Sequence, residues 1–254
     1  MKLKFIIPIL ILIILFIAGI FFISNKGTSI PGLNSCQIEA SSETPVSLDL
    51  TKKVGINHVH LNNQPYNWTH IGSYPVYDAL GNIYSHIHIF RKNDFLSLTT
   101  LEKLEQESSL YLDSSQEKSE VFFNNIATVI TGAIKEDKLI QRHFRGVPEI
   151  VIKKIEVKKN VEENYPGKTI GRMISDSEAE PNYYEIVDKD SKKGSGKLIN
   201  INDLAIKSVS DLIKRQKEII ERRYASLSEK ECQAMQQAVL ESEKAHILEW
   251  GKFE

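Results

Sequence analysis

The chain has no charge bias: 32 Lys and Arg stand against 33 Asp and Glu, a formal net charge of −1. Without a positive excess there is no long-range field to draw in a phosphate backbone, so nucleic-acid binding is discounted. The motifs of the common catalytic engines are missing as well. There is no G-x-S-x-G elbow, no P-loop, no G-x-G-x-x-G and no HExxH. The stretch KKGSGK, Lys192 to Lys197, falls short of a phosphate loop and reads as a hairpin turn. Cysteine is scarce, with Cys36 and Cys232 the only two. Cys36 falls in a tether and Cys232 on a charged helix, both poor settings for a catalytic thiolate. LNSC lies too far past the first apolar run to serve as a lipid-attachment box.

That apolar run is the strongest positive signal. From Phe5 to Ile23 the chain reads FIIPILILIILFIAGIFFI, with no charged residue. As a helix it covers roughly 28 Å, close to the hydrocarbon thickness of a bilayer. Pro8 sits in the first turns, where its missing N–H costs little. Lys2 and Lys4 precede the run and Lys26 follows it. The charge difference holds the N-terminus in the cytoplasm and leaves the rest of the chain outside. A cleaved signal peptide is the competing reading, but its core is shorter and ends in a small-x-small site, which FFISNKG does not offer. In an extracytoplasmic setting Cys36 and Cys232 can close a disulfide over a very long loop, with two unrelated thiols as the alternative.

Residues 1–24 are therefore expected as a transmembrane signal anchor and 25–57 as a polar tether carrying one short strand near PVSLDL. Residues 58–206 are expected as an extracytoplasmic α+β domain whose antiparallel sheet is built from hairpins with packed helices. The first hairpin is clear: SYPVY, a turn at Asp78 to Asn82, then NIYSHIHIF in alternation. Thr99 and Glu102 have capping-box spacing ahead of a helix, and VFFNNIATVITGAI reads as strand. IVIKKIEVKKNVEEN fits both strand and helix periods. NYYEIVD and KLININDLAI flank a Gly- and Lys-rich turn as a second hairpin. Residues 207–254 are expected as two amphipathic helices breaking near Leu227, with Ser228 and Glu231 capping the second. They pack back on the sheet as a hairpin or present a partner surface. No solenoid-type repeat is visible.

Two histidine pairs carry the sharpest chemical question. His58-x-His60 and His86-x-His88 each place two imidazoles on one side of an extended segment, about 6.6–7 Å apart. Two such pairs meeting in space make a zinc site for a hydrolase. With His58 and His60 in an irregular segment and no clustered Cys and His spacing, a structural role is the simpler reading. Arg142, His143 and Arg145 read as a solvated basic turn. Asn67-Trp68-Thr69 matches the N-glycosylation pattern.

Two stretches carry a resemblance. YPVYDALGNIYSHIHIFRK with NNIATVITGAIKEDKLIQRHFRGVPE resembles the propeptide-like segments of secreted cysteine proteases, and NVEENYPGKTIGRMI leading into NYYEIVD is similar to a PepSY-like module. The resemblance covers the chain from Tyr74 to about Ile206. It implies an α+β binding or inhibitory module of the kind found beside exported peptidases, and it tips IVIKKIEVKKNVEEN toward helix. No catalytic residue, cofactor or metal ligand carries over. The expectation is a membrane-anchored, non-catalytic module for a protein or peptide partner, with an exported peptidase as one candidate. A metal-dependent envelope enzyme built on the histidine pairs, or a structural envelope protein, is the alternative.

Overall fold

The computed structural model describes Cys36 and residues 43–63, 65–111, 116–176, 181–225 and 227–254. The expected membrane anchor and most of the tether lie outside these residues. Among the described residues no helix is long and apolar enough to cross a membrane. The fold is α+β, with one eight-stranded mixed sheet and seven described helices.

Where a tether and an irregular segment are expected, the chain forms helix α1 (Leu48–Asn62). Ser47 caps it, its hydroxyl accepting from the Leu50 N–H at 3.2 Å, and Asp49 suits the positive end of the helix dipole. Its buried stripe is only Thr51, Val54, Gly55 and Val59, too thin among polar residues to announce a helix by period. Strands β1 (Trp68–Tyr77) and β2 (Ile83–Lys92) then form the expected hairpin. The turn is fixed by Asp78, whose carboxylate accepts from the Asn82 N–H at 2.8 Å, and by Gly81 at φ 95°.

Helix α2 (Leu101–Tyr111) is capped by Thr100 rather than Thr99, the Lys103 N–H reaching the Thr100 hydroxyl at 3.3 Å. Helix α3 (Gln116–Phe123) takes in Val121 to Phe123, which the branched and aromatic composition assigned to strand. The strand proper, β3 (Ile126–Gly132), is buried along its whole length and pairs with β4 (Ile140–Arg145). The ambiguous segment is helical, as α4 (Glu149–Ile152) and α5 (Lys154–Asn164). Strands β5 (Lys168–Ile174), β6 (Tyr183–Asp188), β7 (Gly194–Asn200) and β8 (Ile206–Ser208) complete the sheet. KKGSGK forms the β6–β7 turn and the start of β7.

The strand order is β4-β3-β2-β1-β5-β6-β7-β8. It reads the same from both ends: a helix followed by a four-stranded antiparallel meander occurs twice, and the two meanders meet where β1 runs parallel to β5. This parallel pair is why the sheet is mixed rather than antiparallel throughout. Helix α1 packs on the face bearing Phe90, Ala127 and Val129, whereas Val157 and Val161 of α5 join Ile87, Ile89, Tyr184 and Ile186 on the opposite face. A rotation by half a turn about an axis along β1 and β5 exchanges the two units and swaps the faces. The repeat is therefore one of topology, of which the sequence shows only a loose echo between its two hairpins. Helices α2 and α3, inserted between β2 and β3, share the α5 face.

The main core lies on that face. Tyr184 is its polar pin: fully buried, its hydroxyl donates to the Ile150 carbonyl at 2.8 Å and ties α4 to β6. Tyr184→Phe is expected to lower stability by about 1 kcal/mol, read as a lower urea midpoint with an unchanged slope. A loss below experimental error would show that the bond to Ile150 contributes nothing net.

Helices α6 (Val209–Ala225) and α7 (Glu229–Trp250) end the chain, broken where expected and with the Ser228–Glu231 capping box formed. They do not lie along the sheet as a packed hairpin. Leu212 pins the start of α6 among Ile174, Tyr183 and Leu198, and Trp250 pins the end of α7 between Val46 and Val54. Between these pins both helices arch over with most residues exposed. Cys36 and Cys232 form a disulfide in the first turn of α7, their Cα atoms 5.5 Å apart.

Candidate functional site

The two histidine pairs do not converge. On a helix, residues two apart point to different sides, and His58 and His60 are so divided: the His58 ring packs edge-on against His143 with centroids 4.9 Å apart, while His60 Nε2 sits 3.2 Å from the Trp68 carbonyl. His143 is also held by the Asn63 amide at 3.1 Å. Its neighbours Arg142 and Arg145 lie over the rings of Phe144 and Trp68 rather than converging on an anion. Asn67, of the glycosylation pattern, is exposed just before β1.

His86 and His88 do share a face of β2, beneath α1, where a Cβ on Gly55 would sit in ordinary van der Waals contact, 3.4 Å from His88 and from Phe90. His88 is the centre of a hydrogen-bonded chain. Ser73 Oγ lies 2.8 Å from His88 Nδ1 and 2.9 Å from His70 Nε2, and His88 Nε2 lies 3.3 Å from the Thr131 hydroxyl. Burial lowers the His88 imidazole to about 3 and His70 to about 4, with the Lys52 ammonium adding to both. Burial also lowers His86, which is 3% exposed and whose Nδ1 has no partner. His86 and His88 are thus held uncharged and buried between α1 and the sheet. Among the described residues no three His, Cys, Asp or Glu side chains are grouped to hold a metal.

Two accessible clefts lie elsewhere among the described residues, one of about 560 Å3 between α1, β4 and the end of α7, lined by His58 and His246 among others, and one on the axis between the two units. Strands β1 and β5 pair only through Val76 with Met173 and Tyr77 with Ile174, and the Ser175 N–H closes the pair on the Tyr77 carbonyl at 2.9 Å. Toward their N-terminal ends the two strands diverge, leaving a cleft of about 470 Å3. Its lining comes from both faces of the sheet, Tyr74, Tyr184 and Lys154 on the α5 side and Tyr77, Arg172 and Glu185 on the other. A lining drawn from both faces marks a gap in the sheet itself. The Tyr77 carbonyl faces β5, so by strand alternation the backbone groups of Pro75 and Ser73 point the same way, into the gap. Proline is tolerated inside a strand where its missing N–H falls on a free edge, which is the position Pro75 occupies.

Two of the cations that line the gap are matched by carboxylates. Glu105 accepts from the Tyr74 hydroxyl and the Lys154 ammonium, each at 2.6 Å, and Arg172 Nε donates to Glu185 at 2.8 Å. Burial, and next the bond to Glu105, push the Tyr74 hydroxyl far above its ordinary range. Burial does the same for Tyr184, so both phenols stay protonated donors. The lining contains no Ser, Thr, Cys or His. Two of its three cations, Lys154 and Arg172, are held by carboxylates and the third, Lys192, stands at the rim, so the gap suits a hydrogen-bonding, part-apolar guest with little charge of its own.

The sequence reading missed this site because its residues are scattered from Tyr74 to Gly194 and meet only through strand pairing. One signal was present: Pro75 in the middle of a strand pattern marks an unpaired edge. No family model, curated protein or solved structure matches the chain.

Proposed function

We propose that the chain is a membrane-anchored, extracytoplasmic, non-catalytic binding module that takes an extended segment of a partner protein into the gap between β1 and β5. The single observation behind this reading is the divergence of these two strands, which leaves two facing backbone edges in the middle of a sheet. An inserted strand gains main-chain hydrogen bonds on the β1 side, on the β5 side, or on both, while side-chain pockets on alternate faces read its sequence. Tyr77, half-buried in the wall, supplies contact area at low entropic cost, with Tyr74 and Tyr184 backing the gap from the core. The apolar run from Phe5 to Ile23 supports the anchor, and the two lysines before it support the orientation.

The test is hydrogen exchange on the full-length protein with extended peptides selected for binding. The Ser73 amide and those of residues 169–172 should slow on peptide addition, and the β4 edge should not change. Peptides that bind while those amides exchange as before would remove the gap from consideration. An exported peptidase is the first partner to assay, with slowed turnover as the readout.

A further inference from the structure

Helix α6 carries an apolar stripe that outlasts the body it packs on. Leu212 and Ile213 seat it against the sheet, and the same stripe continues through Ile219, Ile220 and Tyr224 after the helix has left that support. Ile219 is 42% and Ile220 55% exposed. Lys217 and Arg222 are exposed beside them. The disulfide then fixes where this part of the molecule can go. Cys232 lies one short turn beyond α6 and is bonded to Cys36, which follows the apolar run ending at Ile23. Between Ile23 and Cys36 the chain spans at most about 45 Å when fully extended. Whatever surface holds the apolar run, the tip of the helical arch is the described part of the protein tied closest to it.

We propose that this tip lies on the membrane in which the N-terminal run sits, with Ile219, Ile220 and Tyr224 at the headgroup–acyl boundary and Lys217 and Arg222 against anionic headgroups. An amphipathic helix lying in the interface plane has this composition, apolar on one side and basic at its borders. The inference rests on the reading of residues 5–23 as an anchor. It adds that the arch is a second, reversible attachment, which sets the orientation of the β1–β5 gap relative to the bilayer.

The test uses the full-length protein in vesicles of phosphatidylcholine alone or mixed with phosphatidylglycerol, with bromine-labelled acyl chains as quencher. Ile220→Trp places an indole on the stripe, and Leu110→Trp places one on α2 at an exposed position on the opposite face. The indole introduced at 220 should be quenched severalfold more than the one at 110, and more strongly with phosphatidylglycerol. Lys217→Glu with Arg222→Glu should abolish that lipid dependence. Protein that floats with the vesicles while the indole at 220 stays unquenched overturns the proposal and leaves the anchor standing. Protein that does not float overturns the anchor, and the proposal with it.

Discussion

Trp250→Ala is expected to lower stability by about 3–5 kcal/mol, the range for emptying a large aromatic site in a core. Trp250 is fully buried although it stands four residues from the C-terminus, and it fills the space between Val46 and Val54 with Leu139, Ile140 and Phe253 beside it. Its indole N–H donates to the Asp137 carbonyl at 3.0 Å, and one turn earlier His246 Nδ1 sits 2.8 Å from the Glu136 carbonyl. The substitution removes the pin that holds the end of α7, so the loss has a local signature: amides in the last turns of α7 should exchange at rates near those of an unstructured chain. Trp250→Phe keeps most of the apolar volume and deletes the N–H, and should cost only about 1–2 kcal/mol. A loss under roughly 1 kcal/mol for alanine would mean that α7 is held by something other than this contact.

The protein is also expected to lose stability steeply as pH falls below about 6.5, before most carboxylates titrate. The largest part comes from the chain running from His70 through Ser73 to His88, and His86, His58 and His143, which burial also lowers, act in the same direction. In the unfolded chain an imidazole takes up a proton near pH 6.5. In the folded protein His88 does so only at about 3 and His70 at about 4. Between those values the unfolded state binds more protons, so unfolding becomes easier as pH drops. Stability is thus complete above pH 6.5, falls through the window down to about 4, and stops falling on this account near 3. For the fully buried His88 alone the loss by pH 5 is about 2 kcal/mol. His70 is half-buried and adds less. Asp137, whose carboxyl burial pushes up, works in the opposite direction. Denaturation midpoints at pH 7.5 and pH 5 measure the difference, and His88→Asn should flatten it. An unchanged slope in that variant would assign the acid sensitivity to other groups.

How much could be read in advance follows from the range of each interaction. The hairpin at Asp78 to Asn82, the β6–β7 turn and the two final helices were legible because each is set by neighbours: turn residues at fixed offsets, strict alternation, a capping box at Ser228 and Glu231. Helix α1 was missed because its buried stripe is four small or branched residues in a segment rich in Asn, His and Lys. Val121 to Phe123 were assigned to strand on intrinsic preference, and tertiary packing of Phe122 with Tyr111 and Phe95 overrode it. The candidate site was illegible for a different reason. A gap between β1 and β5 depends on pairing residues nearly a hundred positions apart, and neither periodicity nor composition reports where two parallel strands part company. For the histidines, the spacing of His86 and His88 on one face of β2 was read correctly, whereas His58 and His60, expected in an irregular segment, stand on α1, which turns them to different sides.

The bond between Cys36 and Cys232 has a mechanical consequence. Every described strand lies between these two positions in the chain, so tension applied through the N-terminus and resisted at the C-terminal end crosses from one sulfur to the other and bypasses the sheet. The load is carried by α7 and its seat at Trp250, and the eight strands hang from the line of force without bearing it. In a reducing environment the same pull would run through α1 and then β1, the first strand it meets, and load the sheet at its middle.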